Sequence, residues 1–559
     1  MKKIKILLYM TLFLVLASHI FAHNPSSLPL EVVKCGTFLP DEKKKKVMDQ
    51  IMGDFDPRYS GMQEYYDTPG GCFRIHYDVL NTEGRENAID LTDDNNNGIP
   101  DYVDSAAYYA DFAYDYYVEQ LGYFSPCPDN GDGGSDKYDI YLVNLGEGKV
   151  GSTYYGFTLE AGTIYPNRKF ERWYSYLIVD NNFSPYDSTS LGDGQKVQTF
   201  KTFGIDALKI TLVHELHHAI QYKYGESLPP VHMMNELTST YYESEVFPEI
   251  TDYFQYVRNL FRNFEDAAFG DGNFENGYAW SIFGQYMNKK YDPLMIKRVW
   301  KLIYDGIPTY SALDSAFREN GTTLRDAWCE FLPWLYYTGE RAQGKDYFND
   351  AALFPEMSFY REDSFSPPSF SDNSALDPFE VRGFRCYFPS GNDFATDDTL
   401  DFILTNTDLD AAITQNLRST GYTFVVADSE IPGAMLIENT DYYYKLDPDR
   451  HTFCYSHFYN SGIATDRISS SFPNPFRPGI DDAIFFPAPK NAQIYDEVNV
   501  KIYSSEMLQL HNLKLPVSIR NSYRILNWDS VPTDLESGVY IYYIEYDGSG
   551  EFGKFAIVK

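Results

Sequence analysis

Positive charge is scarce in this chain. Lys and Arg number 46 against 80 Asp and Glu, a formal net charge of −34. Such a field repels phosphate backbones, so nucleic acid is not an expected partner, whereas divalent cations are readily recruited. Cysteine is scarce too. Cys35, Cys72, Cys127, Cys329, Cys386 and Cys454 are the only six in 559 residues, and none form a CxxC pair, so the spacing does not point to a thiolate metal site. Long apolar runs are missing after the N-terminus, where no stretch approaches the roughly 18 residues that a spanning helix needs.

The N-terminus has the three parts of a secretory signal. Lys2, Lys3 and Lys5 precede an apolar stretch from Ile6 to Ala22, and Ala22 is the expected cleavage point. Residues 1–22 are therefore expected to be removed, leaving a secreted or cell-surface protein without a transmembrane span. Export permits disulfides, and Cys35 with Cys72 or Cys127 is the expected pairing.

A chain of 559 residues exceeds what one core of about 300 residues usually serves, so several domains are expected. Residues 23–72, with the run Lys43 to Lys46, read as a leader or pro-like segment. Residues 73–345 open with alternating Phe73-Arg74-Ile75-His76-Tyr77. They continue through the strand-like Tyr138 to Val143 and Tyr176 to Val179, and from 205 onward they are helical in pattern. Ser and Pro crowd 363–372 as in a linker. Short strands with turn signals fill 375–468, and a further β-segment runs from 469 to 559. The predicted class is α+β, with an N-terminal mixed domain followed by two all-β, sandwich-like domains.

His214-Glu215-Leu216-His217-His218 carries the chemistry. Two His four apart on a helix face the same way, one turn apart, and can grip one ion. Glu215 lies beside them, within reach of a metal-activated water as general base. His217 is in the wrong register for that face and reads as structural. A catalytic zinc needs a third protein ligand. A His at 224 preceded by Gly at 221 would supply one, but the chain has Gln221 and Tyr224. The remaining candidates are carboxylates downstream: Glu226, Glu236, Glu243 and Glu245. Glu226 is too close for a second packed helix, and Glu243 lies about two turns beyond Glu236, where it could brace the site.

A second metal motif precedes the first. Asp93, Asn95, Asn97, Asp101 and Asp104 occupy positions 1, 3, 5, 9 and 12 of a twelve-residue loop, with Gly98 at the sharp turn. Hard oxygen donors at this spacing can wrap a calcium ion, with the Ile99 carbonyl as a further ligand, in a structural role. Position 12 is Asp rather than Glu, in the manner of dockerin-like bacterial calcium loops, which this resembles.

The stretch from His214 to Tyr224, followed by Met233-Met234-Asn235-Glu236 and Glu243, resembles the gluzincin metallopeptidases. It is most similar to a group of large secreted bacterial metalloproteases known mainly from sequence. There the motif helix continues as His-Ala-Ile-Gln, as at His218-Ala219-Ile220-Gln221, and a Tyr/Gly-rich helix follows, as at Gly277-Tyr278-Ala279-Trp280. The resemblance covers roughly 70–345 and implies a zincin-like fold. It also implies hydrolysis of protein or peptide substrates, with Glu236 as third zinc ligand beside His214 and His218, and Glu215 as base. The aminopeptidase branch has a transition-state Tyr where this chain has Phe274, and Tyr278 is the nearest substitute for holding the oxyanion. From Asn474-Pro475-Phe476 through Ser537-Gly538-Val539-Tyr540 to the final Lys559, the chain resembles the immunoglobulin-like sorting domain of type IX secretion substrates. That implies a partner in the secretion machinery. The competing class is a catalytically inactive cell-surface binding or adhesion protein that retains a metallopeptidase fold.

Overall fold

The computed structural model describes residues 34–559 apart from 53–55, 84–85, 147–153, 165–171, 191–195, 226–230, 272, 343–345, 365–368, 388–398, 416–419, 428–434, 438–439, 448–451, 458–469, 472, 479–480, 482, 491, 493–495, 506, 521–522 and 534. The expected signal peptide 1–22, the start of the leader and Glu226 lie outside the described residues. Among those described, no helix is long and apolar enough to cross a membrane.

The chain is mixed α/β with several sheets. After α1 (Asp41–Met52) and the single turn α2 (Pro57–Ser60) come β1 (Glu64–Asp67) and β2 (Phe73–Tyr77). Helix α3 (Asp101–Tyr114) runs on as a π-helical turn to Gln120 and leads to β3 (Tyr138–Val143), β4 (Gly156–Thr163) and β5 (Trp173–Asp180). These strands form one sheet in the order β1-β2-β3-β5-β4, so β1 belongs to the sheet although it lies before residue 73. Strand β3 is parallel to both neighbours and buried at all six positions, which explains its unbroken Tyr-Asp-Ile-Tyr-Leu-Val text. Strand β4 is antiparallel to β5 and forms the sheet's edge.

A small hairpin, β6 (Ser188–Ser190) and β7 (Lys196–Gln198), precedes the helices α4 (Gly204–Tyr224), α5 (Val231–Val246), α6 (Phe254–Arg262), α7 (Phe274–Lys290), α8 (Met295–Tyr304), α9 (Thr309–Glu319) and α10 (Leu324–Tyr336). Helix α4 lies between β4 and β5 on one side and α3 and α5 on others. It is buried almost throughout from Ala207 to Tyr224. A helix covered on nearly every face must find partners inside the protein for most of its polar groups, although His217 Nε2 and Thr211 Oγ1 are buried without a hydrogen-bond partner.

The first core does not stop at the linker. It runs from Cys35 through Trp280, Trp300 and Trp328 into Phe379, Val381, Ile403 and Ala412. Trp328 Nε1 donates to Thr405 Oγ1 at 2.9 Å and Tyr336 Oη to Asp401 Oδ2 at 2.7 Å, tying α10 to the next β-region. That region has two sheets. The larger takes β8 (Arg361–Ser364), β10 (Val381–Tyr387), β11 (Thr399–Asn406), β14 (Thr440–Asp447) and β15 (Thr452–His457) in the order β14-β15-β11-β10-β8. The smaller takes β9 (Ser369–Leu376), β12 (Thr420–Ala427) and β13 (Met435–Ile437). One short helix, α11 (Leu409–Thr414), interrupts the strands.

The C-terminal region has its own core, including Phe486, Val500, Trp528 and Phe555. Its strands are β16 (Ile484–Pro487), β17 (Glu497–Tyr503), β18 (Gln509–Arg520), β19 (Tyr523–Trp528), β20 (Gly538–Tyr546) and β21 (Ser549–Ile557). They make one antiparallel sheet in the order β16-β19-β18-β17-β20-β21. The long β18 pairs with β17 up to Pro516 and with β19 from Val517, so the sheet turns at mid-strand and curls into a half-barrel around that core.

Candidate metal centre

The site begins with the spacing on α4. His214 and His218 project from one face, and their Nε2 atoms are 2.9 Å apart. The helix ends where expected, with Gly225 at φ +92. Helix α5 then returns across α4 and brings Glu236 to the pair. Its Oε2 lies 3.1 Å from His214 Nε2 and 3.6 Å from His218 Nε2. Gly277 on α7 makes this approach possible. A Cβ there would come 2.5 Å from the Met233 carbonyl and 2.7 Å from Glu236 Cβ, so a larger residue would push α5 off the centre.

Cys35 completes the cluster. Its Sγ, the two imidazole nitrogens and a Glu236 oxygen all lie within 4.8 Å of one another, and all four residues are buried. One thiol, two imidazoles and one carboxylate are a zinc donor set in number and kind. Two details fit a cation at their centre. Glu236 Oε1 is buried without a hydrogen-bond partner. Each ring also has its other nitrogen engaged: His214 Nδ1 meets Glu243 Oε1 at 2.6 Å and His218 Nδ1 meets Gln221 Oε1 at 2.7 Å. Because those oxygens accept, each Nδ1 is held as a donor and Nε2 is the nitrogen that would face a cation.

The electrostatics of the cluster agree. Burial alone would push the Glu236 carboxyl up, but His218 and His214 outweigh it and hold the pKa at about 2. Burial alone would lower His214, yet the hydrogen bonds to Glu236 and Glu243 carry it up to about 9.

Glu215 sits beside the ligands without joining them. Its Oε2 accepts from Thr158 Oγ1 at 2.8 Å and from Thr37 Oγ1 at 3.1 Å. Tyr278 also reaches the centre. Its ring stacks on His214 at 6.1 Å and 9°, and its Oη is 3.3 Å from the Cys35 amide, which donates to it. The structure therefore brings together His214, Glu215, His218, Glu236 and Tyr278. Glu243 braces His214 as its spacing suggested, and Glu245 stays away, bound by Asn288 Nδ2 at 3.1 Å. His217 faces the other side, stacked on Tyr117 at 5.3 Å, with Nδ1 3.0 Å from Ser239 Oγ. Burial depresses its pKa and keeps that ring neutral.

Cys35 is the residue that sequence reasoning misplaced. The thiols of Cys35, Cys72 and Cys127 are all free, so the expected disulfide is corrected. The missing CxxC pairs did not anticipate the thiol's place beside the His pair. A thiol delivered alone from a distant segment joins nitrogen and carboxylate donors, and no local spacing records such a meeting. The neighbouring Gly36 was the available signal. A Cβ there would lie 1.8 Å from the Phe157 ring, so only glycine lets the segment run so close to β4.

The 93–104 loop turns at Gly98 and is closed by Asx hydrogen bonds. Gly98 takes φ +85, and Asp93 accepts the Asn97 and Gly98 amides at 3.1 and 2.8 Å. Asp104 accepts both Asn95 Nδ2 at 2.9 Å and Asn97 Nδ2 at 2.7 Å, and Asp101 receives the Asp94 amide at 3.2 Å. Ile99 donates its amide to Asn97 Oδ1 at 2.8 Å. Asp93, Asp101 and Asp104 are not gathered within 4.8 Å of one another as the zinc-type donors are, so Asn side chains would have to share the ion.

No protein family matches this chain, and no curated protein matches it. A solved structure of titin Ig tandem domains A164-A165 is similar at 7% identity over 35% of this chain and 91% of that one. Its TM-score is 0.10, too low to bear on the fold.

Proposed function

We propose that the protein is a secreted zinc metallopeptidase that hydrolyses peptide bonds. The observation that carries this is the buried convergence of His214, His218 and Glu236 with Glu215 beside them. Within this reading the region around the first sheet and α4–α7 is zincin-like. Zinc, when bound, supplies a Lewis acid for the scissile carbonyl and lowers the pKa of the attacking water. Glu215 takes that water's proton and passes it to the leaving amine, its carboxylate held in place by Thr158. Tyr278, whose hydroxyl is engaged by the Cys35 backbone in this structure, would turn to the oxyanion once that segment has left. The edge strand β4, along which residues 34–37 lie in this structure, would take an extended peptide in their place, and strand addition would position the substrate.

A specific observation favours one other reading. With Cys35 included, the donors number four, and a closed four-ligand set is that of a structural zinc. The protein would then be a surface binding or adhesion protein. One experiment separates them. Trypsin cutting at the exposed Lys45 and Lys46 detaches the segment that carries Cys35. The cut, zinc-loaded protein is expected to hydrolyse casein or a quenched fluorescent peptide, with one zinc per chain. Stoichiometric zinc without turnover would favour the binding protein.

The C-terminal half-barrel fits the role of a sorting domain for the secretion machinery, and the 93–104 loop fits structural calcium. Calcium is expected to raise the melting temperature by mass action, since a ligand that binds only the folded loop stabilises it. Asp93→Ala and Asp104→Ala should each abolish that increment in a thermal melt, with zinc content unchanged. Equal calcium shifts in parent and variants would remove the calcium assignment.

A further inference from the structure

Residues 34–38 lie against the His218 ring, the Glu215 carboxylate and the edge of β4. Their backbone lies along the edge strand β4. The Tyr155 amide donates to the Lys34 carbonyl at 2.7 Å and the Gly36 amide to the Gly156 carbonyl at 3.3 Å, with Cys35 bridged to Gly156 in parallel. Thr37 Oγ1 accepts from the Thr158 amide at 2.8 Å and donates to Glu215 Oε2, so the base is already engaged. The Phe38 ring stands edge-on to His218 at 5.0 Å. Lys34 anchors the segment. Its Nζ is buried, pairs with Glu243, and lies 3.0 Å from Asp252 Oδ2. Glu243 is the same carboxylate that orients His214.

We propose that Cys35 is the fourth ligand of the metal centre and that Lys34–Phe38 hold the peptidase latent until this segment leaves. The inference rests on the peptidase reading above. A catalytic zinc keeps one position open, and the Cys35 thiol fills it here. Binding costs the thiol its proton, which passes to solvent. Release of the segment reverses the exchange: the sulfur leaves as the thiol with a proton regained, and no electrons are transferred. Departure of the segment also uncovers Glu215 and the β4 edge in one step. Lys45 and Lys46, exposed on the helix that follows, give a protease its access.

The test uses the full chain with cobalt or zinc in the site. Cobalt-loaded parent is expected to show a thiolate-to-metal charge-transfer band, and X-ray absorption of the zinc form should find one sulfur at about 2.3 Å. Cys35→Ala should keep one metal per chain, lose the band, and hydrolyse peptide without prior proteolysis. A parent protein with no band and no sulfur shell would overturn the assignment of Cys35 whatever the turnover. Those two measurements need no variant, so they hold even if Cys35→Ala fails to fold. A band that vanishes in Cys35→Ala, with no turnover before or after trypsin, would keep Cys35 as a ligand but overturn both latency and the peptidase reading. Turnover in the uncut parent equal to that of Cys35→Ala would overturn latency alone.

Discussion

Glu215→Gln should lower peptide turnover of the activated protein by about 10²–10⁴-fold, the range general acid–base catalysis supplies, while leaving zinc content unchanged. Glu215 lies one residue from His214 on α4, but its Oε2 is committed to Thr158 and Thr37 rather than to the ligand atoms. The amide keeps the shape and can still accept from Thr158, so the helix is not disturbed. What it loses is the capacity to take a proton. Metal analysis beside steady-state kinetics checks both halves. If zinc leaves together with activity, Glu215 is a ligand or a structural support and not the base.

Glu236→Ala should have the largest effect on the metal. It removes a donor whose Oε2 is 3.1 and 3.6 Å from the two imidazoles. Outer partners of ligands typically cost about 10–100-fold in affinity when lost, which is the effect expected for Glu243→Gln. Loss of Glu236 should exceed it. The comparison belongs in the Cys35→Ala background, because with the thiol present three donors would survive the change. Competition against a chromophoric chelator measures it. A Glu236→Ala protein that holds zinc as tightly as its background would transfer the ligand role to another group.

Much of the site is legible in the sequence because helical geometry is local. A four-residue spacing on a long apolar-patterned segment requires His214 and His218 to share a face and places His217 off it. The buried strand text at Tyr138 to Val143 is equally local, since a central parallel strand has no solvent face to pattern. The calcium-type loop is written within twelve residues, and its Gly98 turn and Asx hydrogen bonds need nothing from elsewhere. Spacing leaves Glu236, Glu243 and Glu245 as candidates, and only the fit of α5 against α7 at Gly277 brings Glu236 to the Nε2 side of the pair.

Other features exist only in three dimensions. The shared core that carries Trp328 into Phe379 and Ile403 joins segments that composition separates with a Ser- and Pro-rich stretch. The curl of the last sheet depends on β18 changing partners at Pro516 and Val517, which no single strand pattern records. Above all, sequence alone determined a pair of His and an adjacent Glu on one helix. Tertiary structure alone decided that a thiol near the N-terminus joins them. The reason is physical: zinc-type donors must meet at one point, and a chain can supply them from any distance along its length. A helix periodicity reports only the ligands it carries, whereas Cys35 arrives on a strand edge through Gly36, held by Lys34 against two buried carboxylates.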